Sequence, residues 1–132
     1  MEMILANGNK VKVSLGEVHD FITVMPTPIP NAYWRYSELL TEEEVMRFLA
    51  GESTREELQK VARYLLIYTE NLAFNAYLFN KANGGDPEGT KEFSMPTVKK
   101  LRELYQKAKD NPSMETVYEM QSVCLKIGAD PL

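Results

Sequence analysis

Residues 55–83 read REELQKVARYLLIYTENLAFNAYLFNKAN, and the reading of this stretch decides the fold. It holds no Pro or Gly, and Gly84-Gly85 follow at once, so one long helix is predicted over 55–83. Thr54 precedes it as an N-cap, and Glu57 stands three residues on, the spacing of a capping box. Apolar residues lie on two sides. Leu58, Ala62, Leu65, Thr69, Leu72, Ala76 and Phe79 recur at alternating spacings of four and three, and this stripe is the expected core seam. Ile67, Phe74 and Leu78, with Asn71 among them, fall on the opposite side. A helix apolar nearly all round is surrounded by other elements. Glu70, Asn71 and Asn75 in its middle argue against a bilayer span, so no membrane partner is expected.

The totals fit that picture. With 132 residues, 44% hydrophobic and 26% charged, the chain suits one domain over 1–132 with a sizeable core. A net charge of −4 argues against a nucleic-acid partner, because phosphate contacts need a concentrated basic face. Lys99, Lys100 and Arg102 are read as a solvated helix face. The single cysteine, Cys124, cannot close an intramolecular disulfide and fits a reducing compartment. Met1 to Leu5 shows neither a basic n-region nor a long apolar h-region, so a cytoplasmic protein is expected.

Working outward, residues 2–15 predict a β-hairpin turning at Asn7-Gly8, with Val11, Val13 and Leu15 facing inward. Ser14 and Glu17 have capping-box spacing and open a short helix over 17–25. Residues 26–36 form a Pro-rich and aromatic connector, since each Pro keeps its predecessor extended. Its Tyr33, Trp34 and Tyr36 either close one end of the core or form a surface anchor. Thr41 with Glu44 starts a helix over 42–50. Beyond the long helix, 84–95 reads as a surface loop, and Pro96 suits the first turn of a helix over 96–109. Ser113 caps a last helix over 114–127, antiparallel to the one before. The fold class is therefore mainly α, an N-terminal β-hairpin followed by a helical bundle around one central helix.

Chemistry is sparse. The only histidine, His19, stands beside Asp20, and a neighbouring pair specifies no triad. Cys124 lacks the basic surroundings that lower a thiol pKa. One His and one Cys cannot build a structural zinc site, so no catalytic residue, metal or cofactor is expected. Glu70, Asn71 and Asn75, lying near Arg63 and Lys81, read most simply as a wet stripe. Tyr64, Tyr68, Glu70 and Asn75 are the candidates for a small-molecule pocket or enzyme site beside the long helix. Ile67, Asn71, Phe74 and Leu78 are the candidates for a protein interface, with Tyr33, Trp34 and Tyr36. Either the C-terminal helix pair covers this apolar patch within the monomer or another subunit does, and its one Asn favours the second, a homo-oligomer, most simply a dimer.

The hairpin Leu5-Ala6-Asn7-Gly8-Asn9-Lys10-Val11-Lys12-Val13, followed by Asp20-Phe21-Ile22, resembles small tail-assembly chaperones of tailed phages. The ending Ile127-Gly128-Ala129-Asp130-Pro131-Leu132 is similar to C-termini of small phage proteins. The likeness spans about the first 25 residues and the last six and carries over no site residue. It implies a non-enzymatic protein that binds other proteins, in phage assembly or host interference.

Overall fold

Asn7-Gly8 turns the chain as expected, with Gly8 at a φ of +86° that a side chain would disfavour. The computed structural model describes residues 1–5, 7–24 and 39–132. The connector 26–36, with Tyr33, Trp34 and Tyr36, falls outside the described residues. Strands β1 (Glu2–Ile4) and β2 (Lys10–Lys12) pair antiparallel with Met3 opposite Val11. Alternation then puts Met3, Leu5, Val11 and Val13 on one buried face. Leu15, expected inward with them, is exposed instead. Ser14 is the N-cap of helix α1 (Leu15–Phe21), so Leu15 belongs to the first helical turn and leaves the strand's alternation. Helix α1 ends at Phe21 rather than running to 25.

Helix α2 (Glu42–Leu49) opens on the Thr41–Glu44 capping box, both halves formed. Helix α3 (Arg55–Ala82) is the long helix, with Gly84 at a φ of +76° just past its end. Its N-cap differs in one respect from the expected box. Thr54 Oγ1 accepts from Glu57 N at 3.2 Å, but the Glu57 carboxylate accepts from Arg47 Nε at 2.9 and 3.0 Å. That carboxylate ties α2 to α3.

The largest departure is helix α4, which runs Pro87–Asp110. The expected loop over 84–95 is therefore mostly helix, and only 83–86 connect α3 to α4. Asp86 caps it by accepting from Gly89 N at 2.9 Å, and Pro87 takes the first helical position, where a missing N–H costs nothing. Pro96 sits in the helix interior on an exposed side, where the carbonyl it leaves unpaired can face water. Helix α5 (Met114–Leu125) stops two residues short of the expected 127.

Two apolar clusters flank α3, one per half. Around its first half, Leu58, Val61, Ala62 and Leu65 meet Phe48 of α2, Leu101 and Leu104 of α4, and Val117, Met120 and Cys124 of α5. Around its second half, Ala73, Phe74, Tyr77 and Leu78 meet Phe21 of α1, the hairpin residues and Val98 of α4. This explains the two-sided pattern, and it moves the expected interface inside. Ile67, Asn71, Phe74 and Leu78 are all buried within the chain, Phe74 and Leu78 beneath α1 and the hairpin. Asn71 is satisfied locally, its Nδ2 donating to the Ile67 carbonyl at 2.9 Å. The expected core seam is corrected as well: Leu58 and Leu65 are buried, but Leu72 and Phe79 are exposed.

Candidate functional site

Among the described residues, Glu70 is a fully buried carboxylate, and its surroundings show how the cost of burying it is met. It is 0% exposed, so the wet stripe expected from the sequence is overturned at this residue. Its carboxylate accepts from Arg102 Nε at 2.8 Å, from Thr23 N at 2.9 Å and from Thr23 Oγ1 at 2.6 Å. The partner cation comes from α4, not from Arg63 or Lys81, because residue 70 lies on the side of α3 that meets α4. Arg102 Nη2 also donates to the carbonyls of Asp20 and Phe21 at 3.0 and 3.2 Å, closing the end of α1. A fully partnered buried ion pair fixes how elements sit against each other more than it adds stability. Here it pins α1 and Thr23 to the α3–α4 pair.

A second polar clasp lies nearer the surface. Glu17 on α1 accepts from Lys81 Nζ at 2.7 Å and from the Tyr77 hydroxyl, both on α3. Burial pulls its carboxyl pKa up, but the bonds from Lys81, Tyr77 and Ser14 outweigh that and hold it down at about 2. Lys91 on α4 reaches Asp20 on α1 at 2.8 Å. These carboxylates are all committed to structural partners.

Of the four pocket candidates, Glu70 is set apart from the other three. The Tyr64 and Tyr68 rings meet tilted at 58°, 6.0 Å between centroids, and the Tyr64 hydroxyl donates to the Pro131 carbonyl at 2.9 Å. That bond ties down the C-terminal tail. Asn75 is half-buried and falls on the same side of α3 as Tyr68, seven residues on. Glu70 points elsewhere, toward α4. Cys124 is buried beside Thr69, and burial pushes its thiol up to about 11, so it stays protonated and unreactive at neutral pH. Among the described residues, no group of three or more His, Cys, Asp or Glu side chains is placed to hold a metal ion.

The arrangement that stands out is apolar and results from a mismatch of lengths. The Leu58–Leu65–Leu72–Phe79 stripe includes Thr69, which meets Cys124 of α5, so this side of α3 is turned toward α5. Thr69 Oγ1 lies 3.3 Å from Cys124 Sγ, so α5 is ending where α3 reaches residue 69. A 12-residue helix spans about 18 Å and a 28-residue one about 42 Å. Leu72 and Phe79 therefore lie beyond the end of α5.

Helix α4 contributes the other wall. Asn80 Nδ2 donates to Thr90 Oγ1 at 2.8 Å, and Glu70 meets Arg102, which together fix the antiparallel register of α3 and α4. Phe93 thus lies level with the last turns of α3. It stands on the stripe Phe93–Thr97–Lys100–Leu104, whose Leu104 packs in the α5 cluster. Phe79 is 55% and Phe93 67% exposed, and Leu72 is 36% exposed. Among the described residues, the slot that α5 fills between α3 and α4 continues past α5 with two exposed phenylalanines and a leucine along it. Two of these were assigned from the sequence to the closed core, and Phe93 to a loop. Asp86-Pro87, the start of α4, and the spacing from Phe93 to Leu104 are the signals that reveal it.

Comparison with protein-family models, with curated proteins and with solved structures gave no match to this chain. Among the described residues, no helix is long and apolar enough to cross a membrane.

Proposed function

We propose that this is a non-enzymatic, cytoplasmic protein that acts by binding another protein, in an assembly or regulatory role. The observation that carries the reading is the continuation of the α5 slot, where Leu72, Phe79 and Phe93 are exposed. Apolar side chains grouped this way mark sites of association. An assembly role of the kind implied by the likeness to tail-assembly chaperones needs a surface of this sort. The acidic balance, −4 overall, supports a protein partner over a nucleic acid. Self-association stays within the proposal, but Ile67, Phe74 and Leu78 are internal, so a dimer has to form through another face.

The test is capture from the native host with two baits, wild type and Phe79→Asp/Phe93→Asp. A partner retained by the wild type and lost by an equally stable double variant supports the reading. Identical capture by both baits sinks it.

A further inference from the structure

We propose that the first turns of α4, residues 87–95, form a hinged arm that swings open as a unit while the rest of the fold stays closed. It pivots at Pro96 and on the Gly84-Gly85 connector. The inference goes beyond the protein-binding reading and stands without it. Helix α4 is one helix by its backbone but two by its packing. After Pro96, Val98, Leu101, Leu104 and Ala108 are all buried, at helical spacings of three and four. From Pro87 to Met95 the one buried residue is Ser94, a polar one, and Met95 is partly buried against the second cluster. The arm therefore has little apolar area to hold it down. Val98, the buried α4 residue of that cluster, lies beyond the pivot.

The arm is also weak within itself. Pro96 has no N–H, so the Glu92 carbonyl lacks its partner four residues on, and the ladder is broken where the arm joins the rest. Gly89 favours a helix less than any residue but Pro. Thr90 Oγ1 and Ser94 Oγ donate to the carbonyls of Asp86 and Thr90, at 3.1 and 2.8 Å, a back-bonding that loosens and bends helices. At the other end, Gly84 at a φ of +76° and Gly85 give the connector the freedom to absorb a rotation. Among the described residues, the arm is held to α3 by the Asn80–Thr90 bond at 2.8 Å and to α1 by Lys91 on Asp20 at 2.8 Å. The Lys91 pair is partly exposed, where an ion pair adds little. Arg102, which anchors α4 to Glu70, stands on the fixed side of Pro96. Phe93 rides on the arm and Phe79 on α3, so opening changes the distance between these two exposed rings and frees Met95 from its cluster.

Native-state hydrogen exchange of the full chain, read residue by residue by NMR, tests the hinge. Amides 91–95 are expected to exchange at least roughly a hundredfold faster than 100–107, with rates that barely rise in low denaturant, the mark of a local opening. Their protection should be uniform, because the arm opens as a unit. Pro96→Ala rejoins the two parts and should slow 91–95 roughly tenfold or more. Asn80→Ala removes the bond to Thr90 and should speed 91–95 roughly three- to tenfold while leaving 100–107 unchanged. Protection of 91–95 equal to that of 100–107 overturns the inference, since α4 then moves as one piece. A steady gradient from Lys91 to Met95 overturns it too, because that is fraying from a helix end. Unchanged exchange in a folded Pro96→Ala puts the pivot elsewhere and has the same force. If Pro96→Ala does not fold, Asn80→Ala decides: no acceleration at 91–95, or equal acceleration at 100–107, sinks the arm.

Discussion

Removing Arg102 strands the Glu70 carboxylate in a 0% exposed site, with only Thr23 left to bond it. Arg102→Ala is therefore expected to cost about 3–5 kcal/mol, because an unpaired buried charge is worse than no charge. Arg102→Met with Glu70→Leu should recover much of that loss, since apolar isosteres of a buried pair are often tolerated. Urea titrations of the three proteins check it, and a double variant as weak as Arg102→Ala would show that the pair does more than neutralise itself. Glu17 makes a separate, pH-dependent contribution. An unfolded carboxyl titrates at its ordinary 4.5, whereas Glu17 in the fold is held down at about 2. Its bonds thus stabilise fully above pH 4.5 and are lost as the pH falls toward 2. Glu17→Gln should lower stability at pH 7 by about 1–3 kcal/mol, with the gap to wild type closing across that acid window. A gap that stays constant down to pH 2 would remove Glu17 as its source.

Along α3, side of the helix and position along it together decide what a residue does. Phe74 is 1% exposed between Phe21 and the hairpin cluster, whereas Leu72, two residues earlier, is 36% exposed in the open slot. Phe74→Ala should cost about 3–5 kcal/mol and Leu72→Ala about 1 or less. The hairpin behaves likewise: Val13 is buried and Lys12 exposed, so Val13→Lys should destabilise strongly and Lys12→Thr hardly at all. Equal losses within either pair, measured by chemical denaturation, would overturn the corresponding face assignment. Local signals made much of this architecture legible. Asn7-Gly8, Ser14 with Glu17, Thr41 with Glu44, and the unbroken run from Arg55 each announced an element that is present. What periodicity does not encode is which neighbour covers a given stripe and for how far. Leu65 and Leu72 are equivalent on a helical wheel, and only the length of α5 makes one core and the other surface. The start of α4 was obscured because Pro87 and Pro96 both satisfy the rule for a first helical position, and the Asp86 cap decides for the earlier one. Tertiary pairing hid Glu70 as well, since its cation stands 32 residues away.

At the scale of the whole molecule, the described residues form two apolar clusters strung along one helix, and neither is self-sufficient. The hairpin and the seven-residue α1 are too short to persist unsupported, and α3, like most protein helices, draws its stability chiefly from packing. Helices α3 and α4 both run through the two clusters. Between the clusters, buried Ile67, Thr69 and Glu70 line α3, and Glu70 carries the Arg102 bond. Melting one half would leave buried faces of α3 and α4 in water and strand Glu70 at the boundary. The two halves should consequently unfold together. Leu65→Ala in the first cluster and Phe74→Ala in the second should each lower the midpoint of a single transition, leaving the slope of free energy against denaturant unchanged. Fluorescence and far-ultraviolet circular dichroism should trace the same curve in both variants. A second transition in Phe74→Ala, with the hairpin and α1 lost at lower denaturant while the α2–α5 cluster persists, would show instead that the clusters fold as separate units and that α3 merely passes through both.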